Sequence, residues 1–156
     1  QISGSTGSVT RTFTPPIVVT GTNTTDVKAV IGATDVTFTS GEMIDLTGSD
    51  NVAVIGTALA TKNSLSVGST FKMYDQDITV KGIYDAGNTF ANAGLVMPIK
   101  TVQTLSSQAG QVSSATVTVD SLENTDAVTS SLTTLLGTAA DVTNRMLAKL
   151  SVCVKD

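Results

Sequence analysis

The chain has 156 residues, of which 40% are hydrophobic, 4% aromatic and 14% charged, with one Cys and neither His nor Trp. Without histidine there is no imidazole general base, no His-containing triad and no HExxH zinc site; a single cysteine excludes internal disulfides and multi-cysteine metal clusters. Nine basic residues against 13 acidic ones give a formal net charge of -4, and the cations are scattered singly, so there is no electrostatic footprint for nucleic acid. Ser and Thr together number 43, so hydroxyls replace charge as the main polar groups. The length suits one domain or two small lobes, with a core large enough to need no disulfides. No apolar run approaches the ~18 residues of a membrane span, and QISGSTGSV lacks the charged and apolar regions of a secretory leader.

In chain order, Val9-Thr10-Arg11-Thr12-Phe13-Thr14 alternates with period two, and Ile17-Val18-Val19 follows after Pro15-Pro16. Two short strands with a proline break are expected. Residues 26–31 suit a turn of helix or an extended segment, and periodicity does not separate these. Val36-Thr37-Phe38-Thr39 is strand-like, and the GSD at 48–50 is loop-like. Val52-Ala53-Val54-Ile55 reads as an apolar strand ended by Gly56, and residues 57–63 as a two-turn helix with Leu59 inward. Residues 69–74 and 78–84 read as a hairpin with Asp75-Gln76-Asp77 at its tip.

Residues 85–94 read as a mobile loop available for contact. Leu95-Val96-Met97 forms a short strand, and Pro98 suits the start of a helix running to about Ser107. Residues 112–119 alternate, with Val112, Ala115, Val117 and Val119 as the expected buried face. In residues 125–137, Thr125 is placed to cap a helix in which Val128, Leu132, Leu135 and Leu136 recur before Gly137. A strand over 140–143 and an amphipathic helix over 144–152, presenting Met146, Leu147 and Leu150, complete an α+β chain.

Reactive constellations are few. Ser69-Thr70-Phe71-Lys72 has the S-x-x-K form and Ser49-Asp50-Asn51 is an S-D-N, both parts of penicillin-recognising serine enzymes. That chemistry needs Ser and Lys one turn apart on a helix. On the expected strand, residues three apart point to opposite faces, and no K-T-G follows. Asp75, Asp77 and Asp85 could bind a hard cation or simply solvate a hairpin tip, and they lack the ligand spacing of a calcium loop. Gly4-Ser5-Thr6-Gly7 lacks the GK[ST] ending of a phosphate loop. Cys153 reads as a small apolar residue on the final helix, with a bridge between chains as the alternative. Asn23-Thr24-Thr25 is the sole N-x-[ST] sequon; outside the cytoplasm it could carry a glycan, and a polar turn explains it equally well. No catalytic residue, metal site or cofactor site is expected.

From Asn51 onward the order of motifs becomes specific: NVAVIGTALATK, then VGSTFKMYDQDITVKGIYD, then GLVMPIKTVQTL. With Val67-Gly68, Phe71, Ile78, Val80, Gly82-Ile83 and Met97-Pro98 at its hairpin and strand positions, this stretch resembles the extracytoplasmic core domain of MacB/FtsX-type ABC-transporter permeases. SATVTVDSLENTDAVTSSLTTLL at 114–136 is similar to that family's returning strand and helix, whereas residues 41–50 lack its usual G-R-x-[FIL] segment.

The resemblance implies a two-lobe α+β module, with a β-rich lobe at 50–95 inserted into a βαβ-type, ferredoxin-like lobe made of 1–49 and 96–156. It implies a place outside the cytoplasmic membrane, between the first and second spans of a four-span permease, and a first helix continuous with a span, for which no pattern precedes Val9. The module would be non-catalytic, coupling cytoplasmic ATP hydrolysis to export, lipoprotein release or signalling. Its partners would be the parent chain's transmembrane helices, a cytoplasmic ATPase subunit and an extracytoplasmic protein or lipoprotein, with no nucleic acid, in a dimeric full-length protein. A cell-surface structural or adhesive β-rich domain is the alternative that the Ser/Thr content suggests.

Overall fold

The computed structural model describes residues 17–24, 26–145 and 149–154, which divide into two compact units, 1–109 and 110–156. This boundary is drawn differently from the expected lobes, because strands from both sides of residues 49 and 95 share one sheet in the first unit. The elements of that unit are β1 (Val19–Thr22), α1 (Val27–Ile31), β2 (Thr37–Gly41), β3 (Val52–Gly56), α2 (Thr57–Asn63), β4 (Thr70–Met73), β5 (Gln76–Asp85), β6 (Leu95–Pro98) and α3 (Ile99–Leu105). The expected strand at 9–14 and the Gly4–Gly7 turn lie outside the described residues. The ambiguity at 26–31 resolves as a helix, because the Asp26 carboxylate accepts from the Ala29 N–H at 3.2 Å and Gly32 closes the end at φ 72°.

The sheet runs in the order β1-β6-β3-β5-β2, with β4 also paired to β5. Strand β5 is its spine. One edge runs parallel to β3, while the other is antiparallel first to β4 and then to β2. Among the described residues β1 lies at the margin, parallel to β6.

Both faces of the sheet are covered, so the central strands are apolar throughout rather than alternating. Ala53, Ile55, Leu95 and Met97 face one side with Leu59 and Ala60 of α2; Val54 and Val96 face the other with Leu46. Strand β5 supplies Ile78 and Val80 to the first side but Tyr84 to the second. Four- and six-residue steps would keep a regular strand on one face. The register against β3 slips instead, Ala53 pairing Val80 and Val54 pairing Gly82. This one-residue bulge at Lys81 turns the strand over. Gly82 is required beside it, because a Cβ there would lie 2.5 Å from the Glu42 carbonyl oxygen. Full burial of Ile55, Ile78 and Met97 contributes about 1.5–3 kcal/mol per side chain.

The hairpin forms one residue earlier than its composition suggests. Tyr74 and Asp75, at φ 48° and 62°, make a two-residue turn, and Gln76 and Asp77 already belong to β5. Helix α2 matches its expected limits, with Leu59 buried. Pro98 ends β6 and caps α3, and buried Thr101 donates its hydroxyl to the Asp50 carbonyl at 2.9 Å, tying α3 to the segment before β3.

The second unit contains β7 (Ser114–Thr118), α4 (Thr125–Leu136), β8 (Ala140–Arg145) and β9 (Lys149–Val154). The order β7-β9-β8, antiparallel at both contacts, makes β7 and β8 parallel around a central β9, with α4 as their crossover. This is the split βαβ arrangement. It corrects the expected final helix over 144–152: residues 144–145 belong to β8 and 149–152 to β9, Met146 and Leu147 lie outside the described residues, and Cys153 falls in a strand. Two smaller corrections accompany it. Thr125 is not a cap: it is the first residue of α4, and its hydroxyl is buried without a hydrogen-bond partner. Of the expected buried face, Val112 and Ala115 are exposed and Val117 is half-buried, whereas Val119 is buried. Inside α4 the hydroxyls of Thr129, Ser131, Thr133 and Thr134 each donate to the carbonyl four residues earlier.

Candidate contact surface

The segment between β5 and β6, expected as a mobile loop, is tied down by side chains. Asparagine and aspartate bond readily to nearby backbone, and this stretch holds three such residues within eight positions. Asn92 is buried; its Oδ1 accepts from the Ala86 N–H at 2.7 Å and its Nδ2 donates to the Asp85 carboxylate at 2.8 Å. Asp85 also accepts from the Gly87 N–H at 2.8 Å. Asn88 accepts from the Ala91 N–H at 2.9 Å and starts a single 3-10 turn over Ala91–Ala93. From within the core, the Tyr84 hydroxyl donates to the Ala91 carbonyl at 2.9 Å.

These bonds leave electrostatic traces. The Asn92 amide, followed by the Gly87 N–H, holds the Asp85 carboxyl below its usual range, while burial pushes the Tyr84 phenol up to about 12. The 3-10 turn approaches the end of β3 closely enough that a Cβ on Gly56 would collide with the Asn92 backbone. The Gly56 N–H donates to the Gly94 carbonyl at 3.0 Å.

The loop presents Phe90 at its apex, 68% exposed. Beside it is a groove of about 300 Å³ lined by Val18, Thr20, Ile31 and Tyr84. On the opposite face of the sheet, Ile17, Val19, Leu59, Leu65, Phe71 and Met73 line a second groove of about 520 Å³. These surfaces offer shape and apolar area, with Lys72 and Asn63 as the polar groups of the second groove.

The sequence motifs fall elsewhere. The Ser69 hydroxyl accepts from the Ser66 N–H at 3.0 Å just before β4, and Lys72 pairs with Asp77 at 3.0 Å on the solvent side of the hairpin. The amine is therefore engaged with a carboxylate rather than with Ser69. Asp50 serves through its carbonyl as the Thr101 acceptor. Asp77 and Asp85 are eight residues apart on one strand, about 26 Å, so the three carboxylates do not converge on one ion. No group of three potential metal ligands occurs among the described residues. Asn23 is exposed in the turn between β1 and α1. The Asn92 tie escaped the sequence reading; the clustering of Asp85, Asn88 and Asn92 around Gly87 was its only signal.

Residues 1–135 match the family model described as the MacB-like periplasmic core domain. The chain belongs to that family. No curated protein matches the sequence. This periplasmic core domain is thus an extracytoplasmic part of an ABC-transporter permease of the MacB-like type, and none of its described helices is long and apolar enough to cross a membrane. The motif order from Asn51 to Leu105 pointed to the same family; the α+β fold, with a mixed sheet in one unit and a split βαβ arrangement in the other, agrees with it.

Proposed function

We propose that this periplasmic core domain is a non-catalytic coupling module. It receives the conformational change driven by ATP hydrolysis on the cytoplasmic side and passes it to an extracytoplasmic substrate or partner, in export, lipoprotein release or transmembrane signalling. The observation that carries the reading is the cross-tied loop holding Phe90 in solvent at the end of the sheet's spine. A rigid loop with an exposed aromatic loses little conformational entropy on contact, which favours it as an anchor. The full-length protein acts as a dimer with an ATPase subunit, and the parent reading frame encodes one span before Gln1 and three after Asp156.

The test uses the whole permease with its ATPase in the native membrane. Phe90→Ala, with assembly verified by detergent solubilisation, is expected to abolish the export or signalling phenotype, whereas Lys62→Ala on exposed α2 leaves it intact. A wild-type phenotype in a correctly assembled Phe90→Ala permease would remove the loop from the mechanism.

A further inference from the structure

We infer that Asn23 is an attachment site for an N-linked glycan. The inference rests on the extracytoplasmic location and is independent of the coupling role. Asn23 is exposed between β1 and α1, and its turn is held by its neighbours. The Thr24 N–H donates to the Thr22 hydroxyl at 3.2 Å, the Asp26 N–H to the Thr24 hydroxyl at 3.3 Å, and Asp26 caps α1.

Other asparagine side chains have structural work. Asn63 donates to the Leu59 carbonyl, Asn88 and Asn92 hold the loop after β5, and Asn124 donates to the Asp120 carboxylate. None of these four is followed by the x-[ST] pattern, whereas Asn23 begins Asn23-Thr24-Thr25. The one sequon in the chain therefore falls on an exposed asparagine whose side chain makes no hydrogen bond among the described residues.

The co-reactant is an oligosaccharide linked through phosphate to a polyprenyl lipid. The Asn23 Nδ2 forms a bond to the anomeric carbon of the first sugar. The carbon–oxygen bond to the lipid phosphate breaks, and the phosphate leaves with the electron pair. The amide proton passes to a base of the transferring enzyme, and no electrons are exchanged with any other group. A glycan here stands at the end of β1, the sheet's margin among the described residues, and shields it from pairing with another chain, a hazard that exposed strand edges carry.

The experiment uses the full permease purified from its own host membrane. Trypsin cleaves after Arg11 and Lys28 and releases residues 12–28, in which Asn23 is the only asparagine. The peptide is expected to carry a glycan mass that disappears in Asn23→Gln and in Thr25→Ala and persists in Thr25→Ser. An unmodified wild-type peptide overturns the assignment. So does a glycan that survives Asn23→Gln, which would place it on a threonine hydroxyl. Thermal unfolding of Asn23→Gln at the wild-type midpoint checks that loss of the glycan does not reflect loss of the fold.

Discussion

Replacing Asn92 by alanine tests whether the loop after β5 is fixed by side chains or by chain connectivity. The substitution removes the acceptor for the Ala86 N–H, an interaction of 2.7 Å at a residue that is 6% exposed. An orphaned buried amide costs about 1–3 kcal/mol, and a small cavity left by the side chain adds to it. The bond to the half-buried Asp85 carboxylate is lost as well and makes the smaller contribution. Taking about 2 kcal/mol and a urea dependence of about 1.5 kcal/mol/M, the midpoint falls by roughly 1.3 M. Tyrosine fluorescence is a suitable probe, since the chain has no Trp and both tyrosines lie in the first unit. Asn92→Asp separates the contributions: it keeps the acceptor for Ala86 and sets a second carboxylate against Asp85. Hydrogen exchange at the Ala86 amide should accelerate strongly in Asn92→Ala and weakly in Asn92→Asp. An alanine variant that unfolds within about 0.5 kcal/mol of wild type, with Ala86 still protected, would refute the reasoning.

Three further outcomes are expected. Gly56→Ala forces a Cβ against the Asn92 backbone and should destabilise by about 1–3 kcal/mol; calorimetry showing an unchanged melting temperature would mean that the 3-10 turn yields freely. Because burial raises the Tyr84 phenol from 10.0 to about 12, the folded state keeps its proton where the unfolded state has lost it. Stability from this group is intact below 10.0, falls as pH rises toward about 12, and should fall less steeply in Tyr84→Phe. The Asp45 and Asp85 carboxyls are held below 3.8 by hydrogen bonds from Thr47 and from Asn92 and Gly87 respectively. Their contribution is present above 3.8 and lost in more acidic solution. Unfolding curves between pH 6 and pH 2 should therefore flatten in Asp45→Asn and Asp85→Asn, and parallel curves for wild type and variants would contradict this.

The parts of the fold legible in the sequence are those where local chemistry and tertiary packing agree. Residues 52–63 form an apolar run, a glycine and a helix-spaced segment, and they fold as β3 and α2. The expected helix at 144–152 shows the opposite case. Met146, Leu147 and Leu150 fit a helical stripe, yet Leu150, Val152 and Val154 also alternate, and pairing with both β7 and β8 decides for the strand. The bulge in β5 left a mark too, since the apolar positions pass from Ile78 and Val80 to Ile83 across Gly82. The side-chain ties of the Phe90 loop were not legible, because a hydrogen bond from Asn92 to Ala86 depends on how the chain returns rather than on composition.

The continuity of β5 bears on how force could travel. Its 10 residues span about 33 Å, from the Tyr74–Asp75 tip to the loop that carries Phe90. Partner strands grip it along both edges, and its bulge gives it side chains in the cores on both faces. A displacement applied at the hairpin cannot be absorbed by sliding one strand without breaking register and repacking two cores at once. The strand is a strut with a handle at each end, which is the mechanical property that the proposed coupling role requires.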